Sequence, residues 1–232
     1  MTQRVFIAMP SGRGAPDIDC VSSLNGTMQD LRQHGIEYSF NSIHGNCYIA
    51  LIRSLMTHQF MQSECTHLFF WDDDVAGPHG ALRRLMGYDR DIMVAAYPKK
   101  VPAGSPPSKA WPIAITSGIP DEQGLLESDM VATGFLLIKR NVIEAMYEKY
   151  ADRVFHNKDS DSDIIDLFPT GIIDEDGFPK NALGKNMWWG EDYSFSVLAK
   201  RAGFKIWMDP KIQLLHAGRN VWFGNFAEQA AD

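Results

Sequence analysis

Short apolar runs alternate with amphipathic stretches along the 232-residue chain. Residues 4–9 and 67–71 are almost continuously apolar, which is typical of strands that are buried on both faces. Residues 46–63 instead carry apolar side chains three and four positions apart, which predicts a helix with one apolar face. These side chains are Ile49, Ile52, Met56 and Phe60. The alternation of the two patterns predicts a single α/β domain.

The remaining elements follow from the same patterns and from their glycine and proline boundaries. Further helices are predicted over 18–35, 80–86, 141–151 and 191–202, and further strands over 36–40, 91–96, 131–138 and 204–208. Two long stretches lack a regular period. Residues 98–130 are predicted to form loops and hairpins. Residues 155–187 are predicted to form a long functional loop, because structureless connections of that length are otherwise uncommon.

Composition narrows the class of protein. The chain has 45% hydrophobic and 22% charged residues, which is the usual composition of a globular protein. Its net charge is −7, and its sequence lacks the basic stripe of a nucleic-acid binder. Nucleic acid is therefore a disfavoured partner, although modified DNA stays open as a substrate. Three cysteines without metal-ligand spacing favour a reducing compartment. Because no signal peptide and no apolar run of roughly 20 residues is evident, we expect a cytoplasmic protein, in the host cytoplasm if it is viral.

Three consecutive aspartates, Asp72, Asp73 and Asp74, follow the apolar run 67–71. Ligands of open α/β sheets bind beyond the carboxyl ends of the strands, which is where these carboxylates fall. If the strand continues through them, Asp72 and Asp74 share a face. Adjacent carboxylates repel one another, and Mg²⁺ or Mn²⁺ bridging to a diphosphate would relieve that repulsion. The alternative is an acidic surface turn.

Asn46, Arg53 and His216 are candidate binding residues. Asn46 and Arg53 are seven positions apart, so on the predicted helix they lie two turns apart on one face. There they would offer hydrogen-bond donors to a base or a phosphate, whereas the alternative for Arg53 is a solvated helix residue. His216 follows the last predicted strand and is either a metal ligand or an ordinary core or surface histidine.

An aromatic pair precedes two carboxylates near the start of the last predicted helix. Trp188 and Trp189 would stack on the apolar faces of a sugar. Glu191 or Asp192 would act as a general base beside them. The alternative is that both carboxylates only favour the dipole at the start of the helix.

Seven short motifs, taken in order, resemble the GT-A glycosyltransferases. They are Phe6–Pro10, Asn46 with Arg53, Phe69–Val75, Ala95–Lys100, Ala132–Phe135, Gly190–Asp192 and His216–Gly218. The chain is most similar to small viral and bacterial members such as the rhamnosyltransferase-type domain of chlorella viruses, and more distantly to fungal mannosyltransferases. The motifs span nearly the whole chain.

The resemblance implies one Rossmann-like domain over residues 1–232, with a central, mostly parallel sheet flanked by helices. Residues 1–100 would form the nucleotide-binding half and residues 101–232 the acceptor-binding half. The implied reaction moves a sugar from a nucleotide-diphospho-sugar, a UDP-sugar by default, to a hydroxyl of a glycan or other acceptor, with inversion. Mn²⁺ or Mg²⁺ would be the cofactor.

The resemblance also implies a role for each candidate residue. The metal ligands would be Asp72, Asp74 and His216. The contacts to the nucleotide sugar would be Pro10, Asn46, Arg53, Asp72, Asp73 and Lys100. The contacts to the acceptor would be Thr133, Gly134, Trp188 and Trp189. The catalytic base would be Asp192, with Glu191 as the second choice. Because three aspartates are consecutive here, the choice between Asp72 and Asp73 for metal or ribose stays open.

Two other functions compete with this one. A sugar-phosphate nucleotidyltransferase would also need acidic metal ligands, but Ser11-Gly12-Arg13-Gly14 is a poor version of the basic Gly-rich loop that such enzymes carry after the first strand. A non-catalytic carbohydrate-binding protein would use Trp188, Trp189 and Trp222 as stacking platforms. That function gives no reason for the three aspartates.

Overall fold

A computed structural model of the chain describes residues 3–12, 14–101 and 110–218, together with the backbone of residues 222–224. Arg13 and the side chain of Trp222, both considered above, lie outside the described residues. None of the helices within these ranges is long and apolar enough to cross a bilayer.

Fifteen strands are described, and eight of them form one central sheet. In chain order the strands are β1 (Arg4–Ser11), β2 (Glu37–His44), β3 (His67–Trp71), β4 (Val75–Ala76), β5 (Ile92–Val94), β6 (Ile113–Ile115), β7 (Leu126–Val131), β8 (Phe135–Lys139), β9 (Val154–Asn157), β10 (Ser162–Ile165), β11 (Gly171–Ile172), β12 (Trp188–Trp189), β13 (Ile206–Met208), β14 (Leu214–His216) and β15 (Trp222–Gly224). The order in the central sheet is β2-β1-β3-β8-β5-β13-β7-β6. All of its strands except β7 and β8 run in one direction, so the sheet is mostly parallel, as expected.

Helices cover both faces of this sheet. The described helices are α1 (Ile18–Gln33), α2 (Ile49–Gln62), α3 (Ala81–Gly87), α4 (Arg140–Lys149) and α5 (Glu191–Arg201). Successive residues of a strand point to opposite faces, so β1 sends Phe6 and Ala8 to one side and Val5 and Ile7 to the other. The Phe6 side packs against α2, α4 and α5, and the Val5 side packs against α1 and α3. This three-layer arrangement confirms the predicted α/β class.

Helix α2 begins at Ile49, three residues later than predicted. The side-chain oxygen of Asn46 accepts a hydrogen bond from the Tyr48 N–H at 2.8 Å, which closes a turn ahead of the helix. Asn46 therefore does not share a helical face with Arg53, and the predicted stacking of these two residues is wrong.

The strand predicted over 131–138 is two strands, because β7 ends at Val131 and β8 begins at Phe135. Gly134 lies in the break, where its carbonyl accepts a hydrogen bond from the Asp72 N–H at 2.9 Å. A side chain at Gly134 would overlap the Asp72 carboxylate and the Tyr97 hydroxyl. The contact between Gly134 and the aspartate segment thus interrupts the strand between Val131 and Phe135. The local apolar pattern does not predict this interruption.

The stretch 155–187, predicted as a loop, contains regular structure. β9 pairs with β10, and β11 pairs with β12, each pair being antiparallel. Between the two pairs, Phe168 is fully buried. Its ring stacks on Phe195 of α5 at a centroid distance of 5.0 Å and meets Phe70 of β3 edge-on at 5.5 Å. The prediction of a structureless loop is therefore wrong for this part of the chain.

A small three-stranded sheet joins β4, β14 and β15. β4 directly follows Asp74, and its Val75 lies opposite His216 of β14. The Ala217 N–H also donates a hydrogen bond to the Asp74 carbonyl at 2.7 Å. This sheet therefore fixes His216 beside the three aspartates.

Candidate functional site

The three aspartates form a turn at the carboxyl end of β3. The strand ends at Trp71, and the Val75 N–H donates a hydrogen bond to the Asp72 carbonyl at 3.2 Å. Because the strand does not continue, the predicted alternation of faces does not apply. Each of the three carboxylates meets a different group, which reduces the repulsion expected between neighbours.

Asp73 is buried and binds the loop after β1. Its carboxylate accepts a hydrogen bond from the Ser11 hydroxyl at 2.5 Å, and the Ser11 oxygen accepts one from the Gly14 N–H at 3.2 Å. The Asp73 carbonyl accepts a further hydrogen bond from the Asp17 N–H at 2.8 Å, just before α1. Asp73 therefore ties together the first loop, the aspartate turn and the start of α1.

Arg53 extends from α2 and joins two of the predicted motifs. Its side chain is only 2% exposed, and its Nη2 donates a hydrogen bond to Asp72 Oδ1 at 2.7 Å. Its Nε lies 3.5 Å from Glu191 Oε1, and its guanidinium lies over the Phe70 ring at 5.1 Å from the centroid. Burial disfavours the charge, but Asp72 and Glu191 outweigh burial and raise the pKa of Arg53. A buried, charged guanidinium thus links the aspartate turn to the start of α5.

Asp192 lies beside Glu191 in the first turn of α5. Burial, and then the negative charge of Glu191, raise the pKa of Asp192 to about 6. One carboxylate oxygen of Asp192 accepts a hydrogen bond from the Tyr193 N–H at 2.7 Å. The two adjacent carboxylates therefore differ, since Glu191 is paired with Arg53 and Asp192 is more basic than an ordinary aspartate.

Asp74 contacts two groups from distant parts of the chain. Lys100 Nζ donates a hydrogen bond to Asp74 Oδ2 at 2.6 Å, and His216 Nε2 lies 3.4 Å from Asp74 Oδ1. Burial opposes ionisation of this carboxyl, but the hydrogen bonds to His216 and Lys100 outweigh burial and lower the pKa of Asp74 to about 2. Asp74 is therefore an anion at neutral pH.

The surroundings of His216 fit those of a metal ligand. Its Nδ1 lies 2.8 Å from the Pro98 carbonyl oxygen, which only accepts hydrogen bonds, so Nδ1 carries a proton. Nε2 faces Asp74 Oδ1 and donates to it when the ring is protonated; when Nε2 gives up that proton, its lone pair can bind a metal, and backbone carbonyls orient metal-binding histidines in this way. In the part of the chain that the structure describes, no three His, Cys, Asp or Glu side chains are grouped to hold a metal ion. Asp74 and His216 are brought together, whereas Asp72 is turned toward Arg53.

The predicted contacts at the end of β1 and in the break before β8 lie near this turn. Pro10 is buried in β1, and the Asn46 carbonyl lies beside Gly12, just past the end of that strand. Thr133 is buried and its hydroxyl makes no hydrogen bond within the described residues. Gly134 packs directly on the Asp72 carboxylate. Gly134 therefore contacts the aspartate turn directly, whereas Asn46 contacts the loop after β1.

The two tryptophans ahead of α5 have opposite environments. Trp188 is 75% exposed, whereas Trp189 is 4% exposed and packs edge-on against Phe178 at a centroid distance of 5.6 Å. Both belong to β12, where consecutive side chains point to opposite faces. Of this pair, Trp188 presents its ring to solvent, whereas the Trp189 ring is covered by the protein.

Tyr97 and Ser11 belong to the site but were not among the predicted residues. The Tyr97 hydroxyl donates a hydrogen bond to Asp72 Oδ2 at 3.5 Å, and its ring meets the His216 ring edge-on at 4.9 Å. Burial, and then the charge of Asp72, raise the pKa of Tyr97 well above 10, so its hydroxyl stays a neutral donor. Tyr97 follows an apolar strand and Ser11 ends β1 just before a Gly-rich loop, and neither position distinguishes a site residue from a structural one.

Among solved structures, A197 from STIV is similar to this chain at 16% identity and a TM-score of 0.52, covering 96% of this chain and 95% of that chain. A nucleoside-diphosphate-sugar pyrophosphorylase from Vibrio cholerae RC9 aligns at 12% identity over 98% of this chain and 79% of that chain, but its TM-score of 0.35 is too low to indicate a shared fold. No family model and no curated protein matches the chain. The likeness to A197 establishes the α/β fold alone, because one fold can carry many different functions.

Proposed function

We propose that this protein is a glycosyltransferase that moves a sugar from a nucleoside-diphosphate sugar to an acceptor hydroxyl. The observation that supports the proposal is the convergence of distant motifs on one aspartate turn. Arg53 connects Asp72 to Glu191, while Lys100 and His216 both reach Asp74. The turn lies at the carboxyl end of a central strand, where open α/β sheets bind their ligands. The resemblance to GT-A enzymes leads to the same reaction.

Asp74 and His216 would hold Mn²⁺ or Mg²⁺, because they combine a hard carboxylate oxygen with an oriented imidazole nitrogen. When bound, the ion would supply positive charge that offsets the negative charge building on the departing nucleoside diphosphate. Arg53 and Lys100 would bind phosphate oxygens of the donor. Arg53 suits this role because its Nη1 makes no hydrogen bond within the described residues, while Nη2 is bonded to Asp72 and Nε lies 3.5 Å from Glu191.

Asp192 would accept the proton of the acceptor hydroxyl as the hydroxyl oxygen attacks the anomeric carbon. The bond from that carbon to the diphosphate oxygen breaks, its electron pair leaves with the diphosphate, and the configuration inverts. The transition state has oxocarbenium character. Two observations favour Asp192 over Glu191 as the base: Glu191 is engaged by Arg53, and the pKa of Asp192, about 6, lies closer to neutral pH than that of an ordinary aspartate.

The acceptor would approach past Trp188. This exposed ring lies two positions before Gly190, after which α5 begins with Glu191 and Asp192. A glycan is the acceptor that this arrangement favours, because aromatic rings stack on the apolar faces of sugars. The GT-A resemblance makes UDP-sugars the first donors to test.

Thermal unfolding with nucleoside diphosphates tests the donor site. With Mn²⁺ present, UDP or another nucleoside diphosphate at about 100 times its dissociation constant should add roughly 2.7 kcal/mol to the free energy of unfolding. With EDTA the stabilisation should disappear, and Asp74→Asn should abolish it even with Mn²⁺. Equal melting shifts with and without EDTA would remove the metal-bridged donor from the proposal.

Product analysis then identifies the reaction. The protein is incubated with Mn²⁺ and each common nucleotide sugar, and slow release of the nucleoside diphosphate supports glycosyl transfer. Release of pyrophosphate from a sugar phosphate and a nucleoside triphosphate would identify a nucleotidyltransferase instead. Binding of glycans without metal and without turnover would identify a carbohydrate-binding protein.

A further inference from the structure

Lys100 contacts the same aspartate that the proposed metal would use. Its ammonium lies 2.6 Å from Asp74 Oδ2, and its side chain is 32% exposed. Asp72, by contrast, is held by a guanidinium that is only 2% exposed. Lysine carries a compact, strongly hydrated charge on a flexible four-carbon stem, so it can leave a carboxylate more readily than a buried arginine can.

The segment that carries Lys100 also orients the second proposed ligand. The Pro98 carbonyl accepts the hydrogen bond from His216 Nδ1, which leaves His216 Nε2 3.4 Å from Asp74 Oδ1. Asp74 therefore has an imidazole at one oxygen and an ammonium at the other. A divalent cation that binds between Asp74 and His216 would lie close to this ammonium, and two cations repel one another on a single carboxylate.

We propose that Lys100 occupies Asp74 in the ligand-free protein and moves to the donor diphosphate when a divalent cation binds. This inference rests on the proposed function of the site. The ammonium competes with the metal while no donor is present, and it binds the diphosphate beside the metal once the donor arrives. Metal and nucleoside diphosphate then bind with positive cooperativity, because each favours the state in which Lys100 has left Asp74.

The test compares Lys100→Met with the wild type in two binding measurements. Mn²⁺ binding without nucleotide is measured by the loss of the free-Mn²⁺ electron paramagnetic resonance signal, and UDP binding at saturating Mn²⁺ is measured by calorimetry. Lys100→Met should bind Mn²⁺ alone about fivefold more tightly and UDP about fivefold more weakly, which is the lower end of usual coupling between sites. A purely structural role for Lys100 would weaken both.

Two matched variants complete the test. Lys100→Arg keeps the charge and should leave Mn²⁺ binding near the wild-type value, and Lys99→Met changes the neighbouring lysine and should alter neither measurement. The inference is overturned if Lys100→Met binds Mn²⁺ alone with unchanged or lower affinity while the wild type binds Mn²⁺ and UDP. A wild type that binds no nucleoside diphosphate with Mn²⁺ would remove the proposed function itself, and this inference with it.

Discussion

Replacing Arg53 by methionine removes the one charge shared by Asp72 and Glu191. Methionine keeps much of the apolar stem but leaves the two carboxylates, 24% and 19% exposed, without their common cation. Removing one partner of a buried ion pair costs about 3–5 kcal/mol. Loss of the guanidinium above Phe70 adds about 1 kcal/mol. Because both carboxylates keep some contact with water, we place the loss from the ion pairs below that range, at about 2 kcal/mol, which gives a total loss of about 3 kcal/mol.

Urea and thermal unfolding of purified variants measure this loss. In a domain of this size 1 kcal/mol shifts Tm by about 2–4 °C, so Arg53→Met should lower Tm by about 6–12 °C. The double variant Arg53→Met/Asp72→Asn should lose less than Arg53→Met alone, because only Glu191, and no longer Asp72, is left as a carboxylate without its cation. Arg32→Met is the matched control, since Arg32 is exposed and also lies over a ring, that of Tyr38.

Two results would refute this reasoning. If Arg53→Met loses less than about 1 kcal/mol, the value of an ordinary surface pair, the guanidinium does not stabilise the site. If the double variant loses the sum of the two single losses, Arg53 and Asp72 act independently, and the contact between them has no energetic role.

Asp192→Asn should keep nucleoside diphosphate binding but lose turnover. Wild-type turnover should rise as the pH increases through about 6, because Asp192 ionises there. A pH–rate profile that is flat from pH 5 to 8 would argue against Asp192 as the base. The pKa of Asp192 is raised from 3.8 to about 6, so the ionised carboxylate destabilises the folded state at neutral pH. Asp192→Asn removes that charge and should stabilise the protein in urea unfolding by up to about 3 kcal/mol at pH 7.5. Below pH 4, where Asp192 is protonated, the stabilisation should be almost zero. Gly134→Ala should destabilise the protein by about 1–3 kcal/mol and reduce the melting shift with UDP and Mn²⁺, because its methyl group would overlap the Asp72 carboxylate. Burial and nearby carboxylates raise the pKa of the Cys20 thiol to about 12, so mass spectrometry should find Cys20 unmodified by iodoacetamide at pH 8 under conditions where the exposed Cys47 is alkylated.

Elements with a strong local pattern are predictable from this sequence. The apolar run 67–71 is β3 with the same bounds, and the helix predicted over 191–202 is α5, Glu191–Arg201. The paired strands β11 and β12 are not predictable, because each has two residues and no period can be read from two positions. Each of these strands forms only because it pairs with the other, which lies more than ten residues away in the sequence. Trp188 and Trp189 are predicted to stack together on a sugar, which requires both rings to lie on one side of the chain. Because their segment is a strand, the two rings point to opposite faces.

The identity of the candidate site residues is more predictable than their partners. The sequence predicts the aspartates at a strand end, and the GT-A resemblance implies that His216 lies near them; the fold brings them together because β14 pairs with β4. No sequence pattern predicts which cationic side chain forms an ion pair with which carboxylate. The GT-A resemblance implies a contact between Lys100 and the nucleotide sugar, and in the structure Lys100 contacts Asp74. The apolar spacing places Asn46 on the helix, whereas the Asn46 side chain closes the turn ahead of it.

The pairing of β14 with β4 also sets the order in which the site is completed during translation. His216 emerges 142 residues after Asp74, which at usual elongation rates is a delay on the order of ten seconds. During that interval the nascent chain contains Asp74 but not yet its histidine partner. The pair Asp74–His216 forms only when β14 docks onto β4, so a ribosome-bound chain that ends before Leu214 contains the central sheet but not this pair.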